Sequence, residues 1–388
     1  MKTLYFILII VFVCVKATFA QDTTSTERNQ QNVSKSSSKF LLTGYGFSGY
    51  RFTQIENESE STFGETGFNP IFLWSPTNKL FFESELEFEL EGNEVNFELE
   101  YANVSYILNK YITLSMGKFL SPFGTFQERL HPAWINKFVD KPMGFDHGAV
   151  GPGTEIGFEI RGGISLGSSK MNYSLYISNG PSLNTGTSDT MMAGVLEYEN
   201  FEDNNSNKAV GGRIGFLPLS NSSLELGISG QTGVVGASGD SIYEDTKATL
   251  FSIDFSYVQP LKFMKCNLDI KGQYSQVDVD KKDYSDPMDP LGTMTYTFDN
   301  TSQTYYVQAA LRASMLDNSF FRNVELVGRY SSLTLPEGAK WGEEEMQTTI
   351  GLNYWLSWSS VLKFNYQIIE GHEGELEKAF LIQWAIGF

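Results

Sequence analysis

Cysteine is almost missing from this 388-residue chain, which has only Cys14 and Cys266. No disulfide framework is therefore available, and strand pairing and burial must hold the fold. Histidine is nearly as scarce: His131, His147 and His372 are the only three, and all fall in expected loops. None stands beside a nucleophile motif, and there is no P-loop, dinucleotide fingerprint or zinc-ligand spacing. A barrel phospholipase would need a Ser–His pair at the lipid boundary, so the common enzyme classes, a cofactor and a metal are all unexpected. Basic residues are outnumbered 28 to 46 by acids, for a net charge of −18. That balance excludes nucleic-acid binding through a basic face. Finally, beyond residue 20 no apolar run approaches the roughly 20 residues of a helical membrane span. A membrane crossing would have to be made by strands.

What is present begins with an export signal. Lys2 supplies a positive start, Leu4 to Val15 an apolar stretch, and Thr18-Phe19-Ala20 a small-x-small cleavage site, so residues 1–20 read as a cleaved signal peptide. Removing it takes away Lys2 and Lys16 and no acid, moving the charge from −18 to −20 and leaving Cys266 as the one cysteine. Residues 21–39 are Ser/Thr/Gln/Asn-rich without apolar periodicity and read as a disordered lead-in.

The most informative stretch runs from Leu80 to Tyr101. Phe82, Leu86, Phe88 and Leu90 alternate with Glu83, Glu85, Glu87, Glu89 and Glu91; after Gly92-Asn93, Val95, Phe97, Leu99 and Tyr101 alternate with Glu94, Asn96, Glu98 and Glu100. A period of two interrupted by Gly-Asn is a β-hairpin pattern. Its carboxylates repel one another and must sit in water. A soluble sheet meets that by facing its acids to solvent, and a membrane barrel by facing them to a flooded lumen with the Phe/Leu side in lipid.

The rest of the chain favours the barrel. Sixteen candidate strands occur at 41–52, 67–74, 80–91, 94–107, 111–118, 155–165, 170–178, 209–217, 223–232, 249–259, 264–278, 303–315, 323–332, 346–356, 361–369 and 379–388. Connections after even strands are short, whereas those after odd strands are mostly long and polar, the longest being 119–154, 179–208, 233–248 and 279–302. Long loops collected at one end of an even strand count describe an all-β transmembrane antiparallel barrel, with residues 40–388 as one domain. Alternation recurs where Ile156, Phe158 and Ile160 oppose Glu155, Glu159 and Arg161, and where Leu362, Phe364, Tyr366 and Ile368 oppose Lys363, Asn365 and Gln367. The aromatic last strand, ending in Phe388, reads as the signal recognised by outer-membrane assembly machinery. Backbone satisfaction in lipid requires the first and last strands to pair, and sixteen strands enclose more width than side chains fill.

Several segments resemble the phosphate-selective porin O and P family of Gram-negative outer membranes. They are Gly117-Lys118-Phe119-Leu120-Ser121-Pro122-Phe123-Gly124, Asn172 to Pro181, Gly211 to Pro218, Glu325 to Tyr330 and Gly351 to Trp355, in an order that covers nearly all of residues 40–388. The resemblance implies a homotrimeric, sixteen-stranded porin passing small hydrophilic solutes, with the 119–154 loop folded inward as a constriction. Anion selectivity in that family rests on pore lysines, whereas here the corresponding wall carries the glutamate ladder.

These readings define the expected site. The acidic pore wall is Glu83, Glu85, Glu87, Glu89, Glu98 and Glu100; the inward bases are Arg51, Lys118, Arg161, Arg213, Lys271, Arg312, Arg329 and Lys363. The constriction loop contributes Pro122, Arg129, His131, Lys137 and Lys141. Such a wall is expected to favour cations or neutral solutes. Asp280, Asp283, Asp286 and Asp289 lack EF-hand spacing and read as a solvated acidic loop. Two other readings stand beside the channel: an occluded barrel acting as a structural or surface-binding protein, and a secreted soluble β-protein.

Overall fold

A computed structural model describes residues 38–388 except 146–149, 199–200, 290–293 and 372–373. The expected signal peptide and nearly all of the lead-in lie outside the described residues. Sixteen antiparallel strands close into one barrel. They are β1 (Lys39–Ile55), β2 (Glu58–Ser75), β3 (Leu80–Glu91), β4 (Glu94–Ile107), β5 (Thr113–Leu120), β6 (Thr154–Leu166), β7 (Ser169–Ser178) and β8 (Ala209–Leu217). The second half comprises β9 (Leu224–Val234), β10 (Lys247–Leu261), β11 (Cys266–Val279), β12 (Thr301–Arg312), β13 (Val324–Thr334), β14 (Glu344–Trp355), β15 (Ser360–Glu370) and β16 (Leu376–Gly387). Each strand pairs with its sequence neighbours, and β1 pairs with β16 from Tyr45 opposite Gly387 to Ile55 opposite Glu377. Past β16, Phe388 N donates to Gly44 O at 2.9 Å, and the Phe388 ring stacks on Phe68 at 5.8 Å.

The one large departure from the expected strands is at the start. Residues 53–66 were expected to connect two strands, but β1 and β2 extend into them and turn at Glu56-Asn57, where Glu56 has φ 50°. The sequence Glu58 to Glu65 is polar on both faces apart from Phe63, so no alternation betrays it, and its residues from Glu58 to Phe63 are exposed on both faces. A second departure is a bulge between Glu85 and Leu86, which pair with Tyr101 and Leu99, leaving Glu100 as the extra residue. The bulge slips the alternation by one. Tyr101, expected on the apolar face, thus joins the inward row with Asn103, Ser105 and Ile107, and Val104 and Tyr106 turn outward.

The barrel is inside out relative to a soluble protein. Leu175, Ile177, Val210, Ile214, Leu226, Ile228, Phe251 and Ile253 point outward and are exposed, whereas Ser174, Arg213, Ser229, Gln231, Ser252 and Asp254 on the same strands are buried inside. Only lipid stabilises such an apolar surface around a ring whose backbone groups are paired within it. None of the described helices is long and apolar enough to cross a membrane.

Apolar packing inside comes from the loops. Phe123 and Val150 join Leu183, Leu196, Val235, Tyr243, Tyr284, Phe298 and Leu333 in a cluster at the long-loop end. Two small ribbons, Ser182–Leu183 with Leu196–Glu197 and Asp283–Ser285 with Thr295–Thr297, frame it. Within the acidic stretch the structure gives Tyr284 a packing role, stacked on Tyr243 at 5.6 Å and Phe298 at 5.5 Å. Asp280 accepts from Lys247 N at 2.9 Å and Asp286 faces Lys340 at 3.5 Å; among the described residues no three acids, cysteines or histidines are grouped for a metal.

Candidate functional site

The inward rows converge on the segment between β5 and β6, which enters the lumen with a one-turn helix, α1 (Phe126–Leu130). It is seated by buried polar groups of the far wall. Gly124 N donates to Ser229 Oγ at 2.9 Å, and Thr125 N to Gln273 Oε1 at 2.9 Å. Gly124 has φ +72°, and a Cβ there would lie 2.0 Å from Gln273 Nε2. Gly124→Ala is therefore expected to cost about 1–3 kcal/mol by displacing Gln273 from the loop amides, read as a lower thermal midpoint in heat-modifiability gels.

Further along, β13 to β15 grip the loop by its backbone. Lys363 Nζ donates to Ala133 O at 2.5 Å, Phe138 O at 2.8 Å and Gln383 Oε1 at 2.7 Å. Arg329 donates to Asp140 O at 2.9 Å and Lys141 O at 3.0 Å, with its guanidinium 4.5 Å from the Phe138 ring centroid. Lys137 Nζ meets Glu325 Oε1 at 2.8 Å, and Glu325 Oε2 accepts from Trp355 Nε1 at 3.0 Å. Arg312 lies 4.8 Å from the Trp355 ring centroid. Lys363 and Arg329 point inward as their alternation requires, but the loop covers them, at 0% and 3% exposure. They hold the inward loop rather than face open space.

On the β3–β4 wall the six expected acids divide. Glu87 and Glu89 on β3 and Glu98 on β4 border a cavity of about 770 Å³ at the long-loop end, with Glu65, Asp140, Arg51, Lys141 and His131. The five carboxyl groups there are met by three permanent cations, Arg51 and Lys141 in the lining and Lys118 beside Glu98. Arg51 Nε pairs with Glu65 at 2.5 Å and its Nη2 with Asp140 at 2.6 Å, tying the loop to the first hairpin. Glu87 accepts from Asn69 Nδ2 at 2.9 Å, and Lys118 Nζ sits 3.4 Å from Glu98 Oε1. Below this cavity Glu85 and Glu100 are each only 1% exposed, and Glu85 Oε1 is 4.0 Å from His131 Nε2. Along β3, Glu85 thus lies between Glu83, which lines one cavity, and Glu87, which lines the other.

Glu83 belongs to a second cavity of about 970 Å³ at the short-turn end, with Pro122, Glu128, Arg129, Arg161 and Arg213. Here a salt-bridge network organises the wall. Arg213 holds Asp254 through Nε at 2.9 Å and Nη2 at 2.6 Å, and reaches Glu225 at 3.1 Å and Asn172 at 3.1 Å. Arg129 Nη1 meets the other Glu225 oxygen at 2.9 Å, and Arg161 Nη2 meets Glu128 at 2.7 Å. Lys271 contacts Asp269 two residues away. Sequence reading omitted Glu325, Glu225, Asp254 and Glu128 as site residues. Three of them lie at inward strand positions, so alternation could have found them; Glu128 sits on α1, where no period of two applies.

No protein-family model matches the chain, and no curated protein is similar to it in sequence. Solved structures are similar in fold. An anion-selective porin from Comamonas acidovorans superposes at TM-score 0.57 with 14% identity, covering 91% of this chain and 100% of that one. OmpF of Salmonella typhi gives 0.57 at 10% identity over 89% and 97%. The outer-membrane channel DcaP of Acinetobacter baumannii gives 0.55 at 13% identity over 92% and 99%. The chain thus has the fold of outer-membrane porins, a closed sixteen-stranded antiparallel barrel.

Proposed function

We propose that this protein is a passive diffusion channel of a Gram-negative outer membrane, passing small hydrophilic solutes or ions with a preference for cations and neutral molecules. The carrying observation is a lipid-compatible ring around a charged interior that the inward loop narrows but leaves with cavities of about 770 and 970 Å³ at its two ends. The excess of carboxylates over cations in the outer cavity supports the cation preference, since fixed charge in a narrow passage raises counter-ion occupancy. The resemblance to the phosphate-selective porins supports a homotrimer, the pattern of residues 1–20 supports export through a cleaved signal peptide, and the aromatic strand ending in Phe388 supports insertion by the barrel assembly machinery.

Single-channel recording of the refolded mature chain in a planar bilayer under a KCl gradient tests this reading. The expected result is a steady conductance with a cation-selective reversal potential. Glu87→Gln, Glu89→Gln and Glu98→Gln together are expected to move that potential toward zero. An anion-selective potential would mean that Arg51, Lys141 and their neighbours govern passage. The buried Glu85–Glu100–His131 layer favours a second reading, an occluded barrel with a structural or surface-binding role, and a folded barrel without conductance would establish it in place of the first.

A further inference from the structure

Inward positions of a water-filled barrel are ordinarily polar; here Val327 and Val361 are apolar but packed under the loop, whereas one apolar patch lines open space. Leu41 on β1 pairs with Leu73 on β2, which pairs with Glu83 on β3, so the three share one inward row. Phe81 lies two residues along β3, and Ile107 on β4 pairs with Thr113, itself opposite Arg161. All of these side chains line the 970 Å³ cavity at the short-turn end. Glu83 stands in the middle of the apolar patch and makes no hydrogen bond or ion pair with any described residue.

Three strands farther along the same ring, and on the inward loop, the cavity lining carries the opposite charge. The side chains of Arg129 and Arg161 are 39% and 43% exposed, whereas their partners Glu225, Glu128 and Glu159 are 13%, 19% and 2% exposed. The guanidiniums stand in front and the balancing carboxylates behind. The cavity lining therefore offers a carboxylate set in apolar surface at one place and partly exposed arginines at another, with Glu83 and Arg161 interacting through space rather than by contact.

We propose that this cavity is a binding subsite for short peptides whose first residue is bulky and apolar. It rests on the channel reading above and names a solute class for it. The ammonium terminus meets Glu83, the first side chain lies on Leu41, Leu73 and Phe81, and the terminal carboxylate reaches Arg129 and Arg161. The volume falls within the usual range for a small-ligand pocket, about 300–1,000 Å³.

The test is block of single-channel current by peptides added at the short-turn side. Leu-Gly-Gly is expected to act at a concentration at least tenfold lower than Gly-Gly-Gly, N-acetyl-Leu-Gly-Gly or Leu-Gly-Gly amide. Glu83→Gln should abolish the discrimination between the free and acetylated peptides. The pair Leu73→Ser and Phe81→Ser should abolish that between Leu-Gly-Gly and Gly-Gly-Gly; both serines would face the lumen, where the fold tolerates polar groups. Equal block by all four peptides, or discrimination unchanged in these variants, overturns the proposal. A folded barrel with no conductance overturns the channel reading instead. Saturation-transfer NMR on the nanodisc-embedded protein then decides the subsite, and equal signals from Leu-Gly-Gly and Gly-Gly-Gly reject it.

Discussion

Lys363→Met is expected to raise single-channel conductance severalfold and to expose the 119–154 loop to trypsin at Lys137 and Lys141. The Lys363 ammonium is covered and donates to two loop carbonyls and one barrel amide, at 2.5, 2.8 and 2.7 Å. Hydrogen bonds to a charged group are each worth about 1.5–3 kcal/mol, and methionine keeps the length of the stem while supplying none of them. The barrel itself is closed by backbone pairing on both sides of β15, so the loss falls on the loop. Arg329 keeps its grip on Asp140 and Lys141, which predicts a loosened rather than an expelled constriction. Unchanged conductance together with unchanged trypsin resistance would show that the remaining anchors suffice.

The largest expected effect on stability belongs to Arg213→Ala. This guanidinium, 3% exposed, is shared by Asp254, Glu225 and Asn172 from three neighbouring strands. Removing one partner of a buried ion pair costs about 3–5 kcal/mol, because the stranded carboxylate keeps its desolvation penalty. The thermal midpoint for conversion of the folded to the unfolded gel form should fall accordingly. Adding Asp254→Asn to the variant should recover part of the loss, since the uncompensated charge is then gone. If the double variant is no more stable than the single one, Glu225 and not Asp254 dominates the pairing.

Some of this site could be read directly and some could not. Lys363, Arg329 and Arg213 were identifiable as inward because each sits in phase with polar residues on a strand whose other face is apolar. Their partners are loop carbonyls and side chains more than forty residues away in places, as with Lys363 and Phe138 or Arg51 and Asp140. Nothing in a period of two encodes such distances. The glutamate ladder was equally visible, yet its members divide by depth: Glu83 lines one cavity, Glu87, Glu89 and Glu98 line the other, and Glu85 and Glu100 are buried between them. The bulge on β4 shifts the polar phase from Glu98 and Glu100 to Asn103 and Ser105, and only the register assigns Tyr101 to the inward side of that shift. The first hairpin escaped notice for a related reason: strands that extend beyond the apolar belt have no apolar face to reveal them.

The sequence by itself determined the ring. Alternating faces, short and long connections in turn, and the absence of cysteine and of apolar helices leave an even-stranded closed barrel as the structure that satisfies every backbone group in lipid. The tertiary structure alone decided which charges face open cavities. An inward side chain becomes part of a cavity wall, an anchor or a buried group according to what the inward loop lays over it, and that depends on contacts between segments far apart in the chain. Glu83 and Lys363 are both inward charges by sequence; the first faces a cavity and the second lies under a loop.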